Sequence, residues 1–98
     1  MIGAMRKSTH TPEYLMLRQH LASLRVDAGM SQRQLAAALR VPHSWVAKVE
    51  SGERRIDLIE FGWFCQACGT DAAQAAGEVL GGVMGKGPAT RKRQGGKS

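Results

Sequence analysis

The sequence predicts an all-α fold, a compact domain of five short helices, and three observations lead to this prediction. Between residues 12 and 80, apolar side chains recur at spacings of three and four residues, without the alternation that is typical of strands. Capping residues and glycines interrupt this pattern at short intervals. The chain has 98 residues, 43% of them hydrophobic, which is enough for one small domain.

The first helix is expected from about Pro12 to Ala28. A proline suits the first turn of a helix because its missing N–H would have no partner there in any case. Gly29 follows the last turn and is typical of a helix end. The side chains expected to face the core recur at spacings of three and four: Leu17, Leu21, Leu24 and Ala28.

The second and third helices are short, with a tight break between them. Ser31 opens the second helix, and Gln34 completes a capping box three residues later. After the break at residues 40–42, the third helix is expected from about Pro42 to Ser51. The residues expected to be buried are Leu35, Ala36 and Leu39 on the second helix and Val46 and Val49 on the third. Two short helices joined by a turn of about three residues have the proportions of a helix-turn-helix.

Two further helices complete the domain. Asp57 is expected to cap the fourth helix, which ends at Gly69, and Thr70 or Asp71 to cap an alanine-rich fifth helix that reaches about Leu80. The inward residues of the fourth helix are expected to be Leu58, Phe61, Phe64, Cys65 and Cys68.

Both ends of the chain are expected to lie outside a domain formed by residues 12–80. Residues 1–11 are polar without periodicity and predict a flexible arm. Residues 81–98 hold six glycines, one proline and five basic residues. They predict a disordered basic tail, because too little apolar surface is present to offset the entropy lost on ordering.

The charge distribution qualifies what the basic composition implies. The formal net charge of +6 favours an anionic partner, with nucleic acid first. Residues 13–78, however, contain seven basic and eight acidic residues, so the positive surplus comes from the two ends.

Several classes of protein are disfavoured. No apolar run approaches the roughly 18 residues of a membrane span, and no secretory signal is recognisable, so neither a membrane nor export is expected. Two cysteines without an export signal favour a reducing cytoplasm over a disulfide scaffold. No catalytic triad, carboxylate pair or phosphate-cradling glycine loop is present, so we expect no enzyme, no cofactor and no small-molecule ligand.

Residues 29–55, GMSQRQLAAALRVPHSWVAKVESGERR, resemble the phage repressor/Cro-type helix-turn-helix family, also called the Xre family. The likeness rests on the Ser-Gln start of the second helix, its Leu-Ala pair, the apolar turn residue Val41 and the Val-x-x-Val-Glu-Ser-Gly end of the third helix. It extends over roughly residues 17–80. The resemblance implies a lambda-repressor-like domain that binds double-stranded DNA.

The resemblance also implies a set of binding residues. The third helix would enter the major groove and read bases with His43, Ser44 and Lys48. Histidine and serine can each donate to or accept from a base edge, and Lys48 can donate to a guanine or a phosphate. Phosphate contacts are implied for the start of the second helix and for the loop after the third, through Gln32, Arg33, Ser51, Arg54 and Arg55. If these contacts are made, Arg54→Ala would weaken binding to all sequences alike. It would also reduce the salt slope, which is the dependence of log affinity on log salt concentration, by about one unit. A structural salt bridge is implied between Arg25 and Glu50.

Two positions depart from the family pattern. Arg40 lies where the family commonly has a left-handed glycine, at a cost of roughly 1 kcal/mol. Pro42 stands where a serine or threonine cap is usual.

The remaining notable residues are cysteines and large apolar side chains. Cys65 and Cys68 form a Cys-x-x-Cys, but zinc needs four ligands and no histidine pair is available, so burial as small hydrophobes is the better interpretation and no metal is expected. Ile59 and Trp63 are one turn apart, off the inward stripe, and with the fifth helix suggest a dimer interface. Trp45 packs either against the fourth helix or beside the DNA.

These observations favour a sequence-specific transcriptional regulator, most simply a repressor, that binds a pseudo-palindromic operator as a homodimer in the cytoplasm, associated with the nucleoid. The alternative is an antitoxin-like or assembly subunit that acts mainly through protein–protein contacts at Ile59 and Trp63.

Overall fold

The structure is a computed structural model that describes residues 9–84, where five helices are present and no strand occurs. In chain order the helices are α1 (Pro12–Asp27), α2 (Gln32–Leu39), α3 (Ser44–Ser51), α4 (Leu58–Ala67) and α5 (Ala72–Met84). The all-α fold class is therefore confirmed. Most of the expected flexible arm and disordered tail, at residues 1–8 and 85–98, lies outside the described residues.

The helix starts follow the capping residues of the sequence. The Ser31 and Asp57 side chains accept hydrogen bonds from the backbone N–H groups of Gln34 and Glu60. The Oε1 atoms of Gln34 and Glu60 in turn accept from the Ser31 and Asp57 N–H groups. Both positions are complete capping boxes, which satisfy backbone donors that the helix itself cannot. The Thr11 hydroxyl oxygen accepts from the Tyr14 N–H and caps α1.

The core is formed by residues from all five helices, with α1 packed against α3, α4 and α5 and with α2 packed against α3 and α4. The inward residues of α2 and α3 are as expected from the periodicity, and Leu21 and Phe64 join them from α1 and α4. The largest completely buried side chains are Phe64, Leu21, Leu35, Val46, Val49 and Cys65. Within residues 9–84, none of the helices combines the length and apolarity that a membrane crossing requires.

Two side chains expected in the core are outside it. Leu58 is 75% exposed, because it is the first residue after the Asp57 cap and the inward stripe of α4 begins one turn later, at Phe61. Ala28 is also exposed, since it is the C-cap of α1 and lies beyond the last helical turn.

Two helix bounds also differ from expectation. Helix α5 continues through Gly81 and Gly82 to Met84, because Val79 and Val83 carry its partly buried face one turn past Leu80. Helix α3 begins at Ser44, later than Pro42, with His43 as its N-cap.

The turn between α2 and α3 contains the left-handed residue that the family pattern implied. Arg40 ends α2 at φ 61° and ψ 44°, and it is the sole non-glycine residue with positive φ among residues 9–84. Its N–H donates to backbone carbonyls of the last turn of α2. The conformation costs roughly 1 kcal/mol for a residue with a Cβ.

The C-terminal end of α3 is held by the segment that precedes α1. Thr9 is buried, and its hydroxyl donates to the carbonyl of Gly52. Arg18 donates to the carbonyl oxygens of Glu50 and Thr9, at 3.0 and 3.1 Å. Gly52 has φ 87°, and a Cβ there would lie 3.1 Å from Arg18 and Thr9 atoms, so only glycine fits without strain. Thr9 lies in the segment that the sequence predicted to be a flexible arm. At this residue the structure differs from the prediction, because a buried hydrogen bond holds Thr9 to Gly52.

Candidate nucleic-acid interface

The outward face of α3 presents the three residues proposed for base contact. His43 and Lys48 are exposed and Ser44 is half-buried, whereas Val46 and Val49 on the opposite face are completely buried. None of the three polar side chains hydrogen-bonds to another residue in the described range 9–84, and His43 makes no side-chain cap bond. Their donors and acceptors are therefore available to an external ligand.

Glu50, at the end of α3, connects three other segments of the domain. Its carboxylate accepts from Arg25 Nε at 2.7 Å and from Arg25 Nη2 at 3.0 Å. The two side chains of this salt bridge are only 14% and 9% exposed. Arg25 Nη1 also donates to the carbonyl of Met30 at 2.8 Å, so the pair ties α1 and the α1–α2 loop to α3.

Gln32 also takes part in this network. Its Nε2 donates to Glu50 Oε1 at 2.9 Å, although the sequence suggested a phosphate as its partner. The amide thus links the start of α2 to the end of α3. Arg33, the next residue, is exposed and is bonded to no other side chain in the described part of the chain.

The loop after α3 contains the other proposed phosphate ligands. The Ser51 hydroxyl donates to the Lys48 carbonyl at 3.1 Å and accepts from the Glu53 N–H at 3.3 Å. Arg55 is exposed, and its guanidinium lies 5.2 Å from the centre of the Tyr14 ring.

Arg54 is engaged within the protein, which the sequence did not lead us to expect. Its Nη1 and Nη2 donate to the two carboxylate oxygens of Glu60 at 3.0 Å each, and Nη1 also donates to the Arg55 carbonyl at 2.7 Å. The guanidinium carbon lies 4.9 Å from the centre of the Trp45 ring. Hydrogen bonds from Arg54 and the Asp57 backbone hold the pKa of Glu60 below its usual range, so this carboxylate is charged at neutral pH.

Trp45 packs against side chains of its own domain, with the Arg54 guanidinium over its ring. It is half-buried against the core, and it lies next to Ser44 on α3. Ile59 and Trp63 are 61% and 57% exposed, so both are available for contact with another chain.

The cysteines have the properties of packing residues. Cys65 is completely buried, Cys68 is partly buried, and both are free thiols. Burial raises the pKa of Cys65, and burial together with the neighbouring Cys65 raises the pKa of Cys68 to about 11, so neither is a thiolate at neutral pH. Among residues 9–84, no group of three or more potential metal-ligating side chains occurs.

A helix-turn-helix with an unpartnered polar face on its second helix defines a class of DNA-binding domains, and comparison with known proteins identifies the family. A family model described as a helix-turn-helix domain matches residues 17–76, more than half of the chain. An XRE-family like protein from Pseudomonas syringae pv. tomato str. DC3000 has a similar structure, with a TM-score of 0.71 and 39% sequence identity over 76% of this chain and 90% of that one. No curated protein matches the chain. The chain belongs to the Xre-type family of helix-turn-helix DNA-binding proteins and is a DNA-binding regulator.

Sequence reasoning found the exposed residues of α3 but missed most of the bonds that position this helix. The contacts of Thr9 and Arg18 with its C-terminal end have no local sequence signal, because they join residues more than 30 positions apart. The Arg54–Glu60 pair did have a local sequence signal. Glu60 is the third residue after the Asp57 cap, so a capping box predicts that its carboxylate faces the loop.

Proposed function

We propose that this chain is a sequence-specific transcriptional repressor that binds a pseudo-palindromic operator as a homodimer. The observation that carries the proposal is the contrast between the two faces of α3. One face is sealed in the core by Val46 and Val49, and the other exposes His43 and Lys48 without partners in the described range 9–84.

Base recognition is proposed for the N-terminal half of α3. A major groove about 12 Å wide admits a helix, and residues near its start meet the base edges. His43 and Ser44 can each donate and accept, whereas Lys48, one turn after Ser44, can donate to guanine. We propose that these three residues determine which sequence is preferred.

Phosphate contacts are proposed on both sides of the reading helix. Arg33 is exposed at the start of α2, where free N–H groups of the first turn favour an anion. Ser51 is exposed at the end of α3 and Arg55 in the loop that follows, where it supplies a positive charge. For Gln32, a phosphate contact would use the amide in addition to, or in exchange for, its bond to Glu50. The basic residues near both ends, including Arg91, Lys92 and Arg93, would add salt-sensitive affinity without reading sequence.

The dimer surface is proposed on α4 and α5. Ile59 and Trp63 expose more than half of their surface on α4. Helix α5 adds an exposed face without charge, which consists of Ala73, Gly77, Leu80, Gly81 and Met84. Exposed apolar area of this kind is unfavourable on a monomer and marks an interaction surface. A dimer would place two copies of α3 about one helical turn of DNA apart, about 34 Å.

Selection of bound duplexes from a random library tests the function with the full-length protein. We expect one enriched motif with two inverted half-sites, and we expect His43→Ala and Ser44→Ala each to change the preferred base at a cost of about 1–3 kcal/mol. Gln19→Ala, at an exposed position of α1 outside the proposed DNA and dimer contacts, is a matched control that leaves the motif unchanged. An unenriched pool would contradict the function, and unchanged base preference in both α3 variants would contradict the readout.

The dimer has its own test. Sedimentation equilibrium of the wild type and of Trp63→Ala should show a dimer that the substitution weakens at least tenfold, since buried tryptophans dominate interfaces. A monomeric chain that binds a different protein stoichiometrically, and gives no DNA footprint alone, would favour the antitoxin-like or assembly role.

A further inference from the structure

Arg54 connects the reading end of α3 to the start of α4. Its guanidinium covers the Trp45 ring at 4.9 Å, and Trp45 directly follows Ser44. The edge of the same guanidinium makes the bidentate pair with Glu60, which is itself held by the Asp57 capping box. The Arg54 N–H donates to the Lys48 carbonyl at 3.1 Å, so this one residue is bound to α3 through both its backbone and its side chain.

These contacts leave Arg54 poorly suited to bind phosphate. Its two terminal nitrogens already donate to three oxygens, and Trp45 covers one face of the group. Glu60 also offsets its charge, so a nearby phosphate meets a pair that is close to neutral. A phosphate would have to replace charge-assisted hydrogen bonds that are made in the free protein.

We infer that Arg54 is a positioning residue: through Trp45 it fixes the reading end of α3, and it is not a phosphate ligand. This inference rests on the proposed function, because it concerns how the same helix meets DNA. It replaces the role that the family resemblance implied for Arg54. The indole ring, the guanidinium and the Glu60 carboxylate act as one unit, which we call the Trp45 stack.

A charge-neutral double substitution separates positioning from phosphate binding. Arg54→Gln alone would leave Glu60 unpaired and add a net negative charge near the DNA. Arg54→Gln combined with Glu60→Gln removes the pair without changing the net charge. Arg33→Gln is the comparison variant, since Arg33 is an exposed arginine whose side chain has no partner within residues 9–84.

The assay is fluorescence anisotropy with the selected operator and an unrelated duplex of equal length, over a range of salt concentrations. For the double variant we expect the preference for operator over unrelated duplex to fall about tenfold, the size of a lost base contact, while the salt slope of unrelated binding stays unchanged. For Arg33→Gln we expect the slope to fall by about one unit with the preference retained. A slope reduced by one unit in the double variant, with preference retained, would overturn the inference.

Glu60→Gln alone is the second variant, and it keeps the test decisive if the double variant does not fold. It frees the Arg54 charge. If Arg54 contacted DNA phosphate, this variant would bind both duplexes more tightly and its preference for the operator would be unchanged. The positioning role predicts reduced preference instead. A merely structural role would lower the unfolding temperature and leave the preference of the folded protein unchanged. If the wild type itself prefers no sequence, the proposed function fails, and that outcome is distinct from all of these.

Discussion

We expect Glu50→Ala to lower the free energy of unfolding by more than the number of atoms it removes would suggest. The Glu50 carboxylate accepts two hydrogen bonds from Arg25 and one from Gln32, in a pair whose side chains are 14% and 9% exposed. Its removal leaves the Arg25 guanidinium in a largely dry site with only the Met30 carbonyl as acceptor. The cost arises mainly from this uncompensated charge.

The magnitude can be set against the stability of the whole domain. Loss of one partner of a buried pair costs about 3–5 kcal/mol, whereas a domain of this size has a total stability of about 4–11 kcal/mol. At about 4–8 °C for each kcal/mol, the melting temperature should fall by at least about 12 °C. Arg25→Met combined with Glu50→Leu should be far milder, because neither charge is then buried.

Urea and thermal unfolding followed by circular dichroism measure these differences. Replacement of the more exposed pair, by Arg54→Gln with Glu60→Gln, is the comparison and should cost about 1 kcal/mol or less, since its side chains are 37% and 18% exposed. A cost below about 1 kcal/mol for Glu50→Ala would refute the reasoning. So would a double variant at Arg25 and Glu50 that is as unstable as the sum of the single ones.

Three further predictions concern single positions. Arg40→Gly should stabilise the domain by about 1 kcal/mol in urea unfolding by relieving its left-handed backbone, whereas Arg40→Ala should not. Leu35→Ala should cost about 2–5 kcal/mol, but Leu58→Ala, at a site expected in the core and found exposed, should stay within about 0.5 kcal/mol. Since the pKa of Cys68 rises from 9.0 to about 11 on folding, the unfolded thiol loses its proton first. Stability should therefore fall as the pH rises from about 9 to 11, and Cys68→Ala should reduce this loss; an equal loss in the variant would contradict the assignment.

The fold was largely predictable because its signals are local. Capping boxes at Ser31 and Asp57 set two helix starts, and the burial of Leu35, Val46 and Val49 follows from helical spacing alone. The errors occur at helix ends. Leu58 shares the apolar character of the inward stripe, and only its place in the first turn puts it outside.

For the candidate site, the sequence predicted which side chains are exposed better than it predicted their hydrogen bonds. Exposure at His43 and Lys48 follows from the periodicity that buries Val46 and Val49. The capping box at Asp57 indicated a carboxylate near the loop, but it did not show that Arg54 binds it or that Gln32 binds Glu50, because an amide or a guanidinium suits a phosphate as well as a carboxylate. Which of the two it meets depends on the packing of α2 and α4 around α3.

The separation between the two faces of α3 has a consequence for how such proteins diverge. The side chains of His43 and Lys48 make no hydrogen bond to other residues in the described range, so most substitutions there should change folding stability by no more than about 0.5 kcal/mol. Duplicated copies of this gene can therefore explore new side chains at these positions without losing a folded product. The network around Glu50, by contrast, should stay fixed in every descendant that keeps this domain.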